Sequence, residues 1–359
     1  MAANTILVTG GCGCVGYHIV KALLEESSSS EIHVFSRNPT QNRLPKVKYH
    51  AGSLTNPEDL KSIFSSIQPT VVFHVASPTS AGNTASAKLF YDVNVEGTKA
   101  LLTCAQECER TKAFIYTSSS TVAKSPNHFT TEAQPLLPTT SKTDFDYYAT
   151  TKAIADQFVL NSNEPNGLKT CCLRLALIYG ERDNQMIPGV IKVLHDNQHT
   201  NQIGNNTALM DFLSARNAAR AHVLAYKALM KPETASQSKV AGEAFFITDG
   251  KPVPFWDISR KIWAAAGDKT PPEKIKVVPV WLVLGLAVAL EWIYWVFTFG
   301  QKSPGSLRSH TIRWVTEERT YSIEKARERL GYEPVDETDQ SIKEGVEWHL
   351  KELKEKWGR

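Results

Sequence analysis

Directly after the apolar run Thr5-Ile6-Leu7-Val8 the chain reads Thr9-Gly10-Gly11-Cys12-Gly13-Cys14-Val15-Gly16, then continues as the helix-like segment Tyr17 to Leu24. Glycine at 10, 13 and 16 lets a backbone turn tightly and come close to a pyrophosphate, which then rests on the N-terminus of the helix that follows. A strand, a glycine turn and a helix in this order predict a parallel α/β unit that holds a dinucleotide. Gly10, Gly13, Cys14, Val15 and Gly16 are its expected contacts.

The rest of the first half repeats the same alternation. Ile32 to Phe35, Val71 to Val75, Phe114 to Tyr116 and Leu173 to Ile178 read as buried strands, separated by helix candidates near 16–25, 57–66, 84–110 and 144–162. This predicts an α/β fold: a Rossmann-type, doubly wound parallel sheet with a smaller C-terminal substrate-binding region. We divide the chain into a nucleotide-binding core over 1–180, with later strands returning from about 205–250, and a mainly substrate-binding region over 181–359. A loop is expected over 231–242. With 359 residues the chain is long enough for two folding units.

Charge and cysteines narrow the classes further. A net charge of +3 from 40 basic and 37 acidic residues gives no nucleic-acid surface. The six cysteines show no zinc-type pairing, so no metal site is expected and the thiols are read as reduced and mostly buried. The opening residues lack a basic stretch followed by a cleavable apolar one, so secretion is not expected.

One segment departs from this pattern. Val280 to Phe299 is apolar throughout except for Glu291, and it holds three of the eight tryptophans, Trp281, Trp292 and Trp295. It is long enough to cross a bilayer core of about 30 Å. Tryptophan favours the interfacial zone, and an acidic side chain at the midplane costs roughly 3 kcal/mol. We read 280–299 as a membrane-dipping or interfacial helix; the competing reading is a buried helix roofing an apolar pocket.

Two groups of residues carry chemistry. At the end of the second strand an acidic residue would bind the adenosine ribose and repel a 2′-phosphate. Ser36 stands there instead, followed by Arg37, which can pair with a phosphate and stack on adenine, with Arg43 as a helper. NADP(H) is therefore expected over NAD(H). The second group is Tyr148-Ala149-Thr150-Thr151-Lys152, whose tyrosine and lysine share one helix face. A nearby ammonium favours the phenolate of a tyrosine that exchanges a proton, and the lysine can also hold the nicotinamide ribose. Upstream, Thr117-Ser118-Ser119-Ser120-Thr121 follows a strand and puts hydroxyls at the ligand-binding edge of the sheet.

These motifs, together with His74-Val75-Ala76-Ser77-Pro78, Val93 to Thr98 and Asp211 to His222, resemble the extended short-chain dehydrogenase/reductases over nearly the whole chain. More narrowly they resemble the 3β-hydroxysteroid dehydrogenase family, in the pattern of its fungal sterol-4-alpha-carboxylate 3-dehydrogenases. The resemblance implies Tyr148 as catalytic acid/base, Lys152 as its electrostatic partner and Ser119 as the hydroxyl that orients the substrate oxygen, with Ser118 as the fallback. It implies that Ala76 and Ser77 line the cofactor. It also implies an intracellular enzyme associated with the endoplasmic reticulum membrane through 280–299, the alternative being cytoplasmic, and pairing of two copies through two helices.

The chain departs from the family pattern at Ser36, Ser53, Leu175-Ala176 and the run Asp211 to Arg216. The expected substrate is a 3-hydroxyl or 3-ketone on a sterol-like or terpenoid polycycle, with decarboxylation or isomerisation as further steps. The rival enzyme reading is an NADPH-dependent ketone reductase of the dihydroflavonol-reductase type, which would not need the apolar helix. A nucleotide-sensing membrane scaffold keeps the fold and discards the chemistry. His74, in an apolar strand, is read as a packed core histidine, and Asn94 as a structural hydrogen-bonding group or part of a proton relay.

Overall fold

The computed structural model describes residues 4–26, 29–78, 86–138, 144–164, 167–231, 239–299, 304, 307–335 and 337–357. Seven parallel strands form the central sheet: β1 (Thr5–Thr9), β2 (Glu31–Ser36), β3 (Val47–Ala51), β4 (Val71–His74), β5 (Ala113–Ser119), β6 (Lys169–Leu175) and β7 (Glu243–Ile247). Their order is β7-β6-β5-β4-β1-β2-β3. The order reverses between β1 and β4, and a crevice at such a reversal is where open α/β sheets take ligands.

Strand alternation explains why both faces are covered. Ile6 and Val8 point to one face, against Ile19, Val20 and Leu23 of helix Cys14–Glu26 and Ala218 and Leu229 of helix Ala215–Met230. Leu7 points to the other, against Leu60 and Phe64 of helix Pro57–Ile67, Leu101 and Ala105 of helix Gly97–Glu107, and Ala155 and Val159 of helix Asp144–Asn161. A period of two in the strands and three to four in the helices thus gives two apolar layers on one sheet. The start of helix Pro57–Ile67 follows from local chemistry: the Asn56 side chain accepts from Glu58 N, and proline occupies a first-turn position where no N–H is needed.

Beyond β6 a second core forms. Tyr179, Met186, Ile187, Val190, Met210, Trp256, Ile262, Trp263, Ile342 and Val346 pack together, away from the sheet. A small four-stranded sheet joins Asn127–Thr130, Leu209–Met210, Val253–Pro254 and Arg319–Tyr321. Two details differ from the sequence reading, and a third lies largely beyond it. The segment Leu173 to Ile178 is two strands, β6 and a short Leu177–Tyr179, parted at Ala176, which hydrogen-bonds Ile247 O. The half-exposed β3 has no apolar run to announce it. Most of the loop expected over 231–242 lies outside the described residues.

Candidate active site

The glycine turn is built as the spacing requires. Gly10 has φ +71°, and a Cβ there would come within 2.7 Å of Ala76 Cα. Any larger residue would part the turn from the chain leaving β4. A Cβ on Gly16 would overlap the Gly10 carbonyl, so helix and turn touch through bare backbone. Gly13 is the opposite case: it is exposed, and a Cβ would meet only Gly10 O, at 3.3 Å. The helix starts at Cys14, so the N–H groups of Cys14, Val15 and Gly16 belong to a first turn without intrahelical acceptors. An open concave backbone with free donors fits a pyrophosphate.

Ser36 ends β2 beside this turn. Its side chain hydrogen-bonds the Cys12 thiol, whose pKa is raised by burial and pulled back by that bond and by the Arg43 guanidinium. Arg37 follows, exposed, and forms no ion pair among the described residues. Ala76 and Ser77 come just past β4. Ser77 is already engaged, donating to Asn94 Oδ1 at 2.9 Å, while Asn94 Nδ2 donates to Thr151 Oγ1 at 3.1 Å. Asn94 lies in a widened helical turn, Tyr91–Glu96, of the π type that recurs at functional sites. It is buried, so its polar group ties the chain after β4 to the helix that carries Tyr148.

Ser118 and Ser119 occupy the last two positions of β5 and separate cleanly. Ser118 Oγ donates to buried Asp156 Oδ2 at 2.6 Å, which removes it as the fallback for the substrate-facing hydroxyl. Ser119 shares a hydrogen bond with Thr121 Oγ1 at 2.8 Å and bonds the Tyr148 hydroxyl. Burial raises the Tyr148 pKa, and the Ser119 bond works against that rise.

Lys152 is almost wholly buried. Its Nζ donates to Thr117 O at 2.6 Å and stands 4.5 Å from the centre of the Tyr116 ring. Burial lowers its pKa to about 7, with Asp156 opposing. The expected lowering of the Tyr148 pKa by Lys152 is therefore absent here. The ammonium is turned to Thr117 O and the Tyr116 face, and burial dominates at the tyrosine.

His74 is a core histidine as read: Nδ1 pairs with Thr9 Oγ1 and Nε2 with Thr98 Oγ1, both at 2.8 Å, and burial holds its pKa at about 3. The run Asp211 to His222 is structural. Asp211 accepts from Tyr321 N, Ser214 caps helix Ala215–Met230, and His222 Nε2 meets Thr117 Oγ1 at 2.8 Å. Sequence reasoning missed Asp156, which binds Arg174 through two hydrogen bonds beneath the site. The signal was available: Asp156 stands four residues past Lys152, on the stripe that begins at Tyr148. A cavity of about 480 Å³ bordered by Tyr179, Phe212, Asp249 and Lys261 lies elsewhere; Ser119, Tyr148 and Lys152 do not line it.

The apolar segment forms one helix, Val280–Thr298, and it is not a buried roof. Only Ala287 is buried, while Trp281, Trp292, Trp295 and Phe297 are each more than half exposed. Its one charge is satisfied by the body of the protein. Glu291 accepts from Ser309 N at 2.7 Å and from Ser309 Oγ at 2.9 Å, at the start of helix Ser309–Thr316.

Against known proteins, the profile of the 3-beta hydroxysteroid dehydrogenase/isomerase family matches residues 7–277. The decarboxylating sterol-4-alpha-carboxylate 3-dehydrogenase of Gibberella zeae is 37% identical over 317 residues, covering 86% of this chain and 99% of that one. The enzyme of the same name from Saccharomyces cerevisiae is 32% identical, with coverage of 96% and 97%. Among solved structures, a dTDP-glucose 4,6-dehydratase from Bacillus anthracis in complex with NAD superposes with a TM-score of 0.69 at 20% identity, covering 99% of this chain and 98% of that one.

Proposed function

Because the chain belongs to the 3-beta hydroxysteroid dehydrogenase/isomerase family, we propose that it interconverts a 3β-hydroxyl and a 3-ketone on a sterol-like polycycle with a nicotinamide cofactor. The observation that carries this reading is the hydrogen bond between Ser119 and Tyr148 at the end of β5, with Lys152 held on Thr117 O of the same strand, across the sheet reversal from the glycine turn. Curated relatives named as decarboxylating sterol-4-alpha-carboxylate 3-dehydrogenases support the substrate class. NADP(H) is the favoured cofactor, since Ser36 replaces the acidic residue that would repel a 2′-phosphate and Arg37 supplies an exposed cation. Apart from helix Ala215–Met230 and β7, which return to the central sheet, residues 181–359 form the mainly substrate-binding region in this reading.

When bound, an oxidised nicotinamide supplies the hydride acceptor. Gly10, Gly13, Cys14, Val15 and Gly16 would hold its pyrophosphate, Ala76 and Ser77 would line it, and Lys152 would hold its ribose. In the oxidative direction Tyr148 Oη, as the phenolate left once its own proton has passed to solvent, takes the proton of the 3-hydroxyl while the C3 hydrogen leaves as hydride. Ser119 Oγ steadies the oxygen as it becomes a carbonyl. On a substrate with a 4-carboxylate, the 3-ketone makes a β-keto acid. Its C4–CO₂ bond electrons then pass into an enolate that Ser119 and Tyr148 stabilise as carbon dioxide departs.

Helix Val280–Thr298 brings the substrate within reach by resting in a membrane surface. Exposed tryptophans beside an acidic group pinned to the globular body suit a helix lying in the interface more than one crossing it. The test uses liposomes carrying a 3β-hydroxysterol. Wild type is expected to float with them and to reduce nicotinamide. The triple substitution Trp292→Ser, Trp295→Ser, Phe297→Ser is expected to stay in solution and lose liposomal turnover, yet keep turnover of detergent-solubilised sterol. Equal flotation of both proteins would remove the membrane reading, and no turnover in either format would remove the functional one.

A further inference from the structure

The run Thr117 to Thr121 carries five hydroxyls in a row, and the fold gives them different partners. Thr117 Oγ1 meets His222 Nε2 at 2.8 Å, Ser118 Oγ donates to Asp156 Oδ2 at 2.6 Å, and the Ser120 side chain bonds that of Tyr321. Those three bonds tie the end of β5 and the chain leaving it to the surrounding frame. Ser119 is the member of the run that bonds Tyr148, and its other neighbour is Thr121. Ser120 and Val122 are buried on either side, while Thr121 is half-buried.

Two groups of Thr121 face Ser119 Oγ. Thr121 Oγ1 lies 2.8 Å from it, and Thr121 N donates to it at 3.3 Å. The backbone explains the approach. Ser119 is still extended, at φ −139° and ψ 146°, and the chain then tightens into the single 3-10 turn Ser120–Val122, which brings residue 121 back to 119. A serine hydroxyl holds one hydrogen and two acceptor lone pairs. A Tyr148 phenolate can only accept, so it takes the Ser119 hydrogen. With that hydrogen committed, Ser119 Oγ can only accept from Thr121, whose N–H and O–H fill both lone pairs. Donation then runs from Thr121 to Ser119 to Tyr148, and it opposes the burial that raises the Tyr148 pKa.

We infer that Thr121 is a positioning residue for the proposed reaction: by filling the acceptor positions of Ser119 Oγ, it aims the single Ser119 hydrogen at Tyr148 Oη and at the substrate oxygen beside it. This rests on the 3β-hydroxyl reading above and adds what sets the direction of the Ser119 hydrogen bond. A hydroxyl that accepts hydrogen bonds is also the stronger donor. Without the Thr121 hydroxyl one lone pair of Ser119 is open, and its hydrogen is free to turn away from the reacting oxygen.

The experiment is steady-state oxidation of a detergent-solubilised 3β-hydroxysterol by the full chain with oxidised nicotinamide. Thr121→Val keeps the branched shape and the backbone N–H and removes the hydroxyl. It is expected to lower kcat about tenfold, near the worth of one hydrogen bond, with KM and melting temperature unchanged. Thr121→Ser returns the hydroxyl and should recover most of the loss. In a Ser119→Ala background Thr121→Val should cost nothing further, because Thr121 acts through Ser119. Full kcat in Thr121→Val, beside an active wild type, would overturn this inference alone. So would an undiminished loss from Thr121→Val in the Ser119→Ala background, which is what a purely structural role produces. A wild type that oxidises no 3β-hydroxysterol with NADP or NAD would overturn the proposed function, and this inference with it.

Discussion

Replacing Tyr148 with phenylalanine is expected to lower turnover about a thousandfold, within the span usual for loss of a positioned acid/base, and to leave nicotinamide binding unchanged. The substitution removes one oxygen and little else. Packing survives, since the Tyr148 ring meets Phe90 edge to face at 5.9 Å, a contact a phenylalanine ring can keep. What disappears is the hydroxyl bonded to Ser119, the group proposed to take or return the substrate proton. Ser119→Ala should cost less, roughly tenfold to a hundredfold, because the tyrosine can still exchange the proton with a less steadied oxygen. Steady-state kinetics beside a fluorescence titration with reduced nicotinamide checks both variants. Full activity in Tyr148→Phe would end the assignment.

Asp156→Ala is expected to destabilise the fold by about 3–5 kcal/mol, a large part of the stability of a typical domain. Asp156 is fully buried and takes three hydrogen bonds: from Arg174 Nη2 at 2.8 Å, from Arg174 Nε at 3.1 Å and from Ser118 Oγ at 2.6 Å. Without it Arg174 is a buried guanidinium left with the weaker influence of Glu132, and among the described residues its Nη1 already has no hydrogen-bond partner. Lys152 also loses the carboxylate that helps keep it charged. The double change Asp156→Leu, Arg174→Met should recover most of the loss, because an apolar pair removes both charges together. Denaturant unfolding of the three proteins decides this. A single-variant loss within about 0.5 kcal/mol would show that the pair is dispensable.

What the sequence made legible follows from how local each signal is. The glycine turn and the apolar strands are short-range patterns, and each lies where its period requires; Tyr148 and Lys152 share one helix, as their spacing predicts. His74 was recognisable as a core residue because four apolar neighbours surround it in the strand. Long-range pairings left no such mark. The small sheet joins residues 127–130 to 319–321, and nothing in either short segment names its partner. The strand β3 holds only half-buried and exposed residues at the sheet edge, so it lacks the apolar run that announced its neighbours. The choice between Ser118 and Ser119 needed the position of Asp156, since adjacent strand residues point to opposite faces and only the partner tells which face is which. For the apolar helix, composition gave length and hydropathy but not side. Burial of Ala287 alone excludes the roofing role.

The proposed reaction turns on hydride leaving C3 of a polycyclic alcohol. The most direct test is a single turnover of the purified protein with oxidised nicotinamide and a 3β-hydroxysterol carrying deuterium at C3, read by mass spectrometry of both products. One deuterium is expected on the reduced nicotinamide, with a 3-ketone without label at C3 and no transfer in Tyr148→Phe. Recovery of the sterol with its C3 deuterium intact, from a protein shown to bind the cofactor, would contradict it.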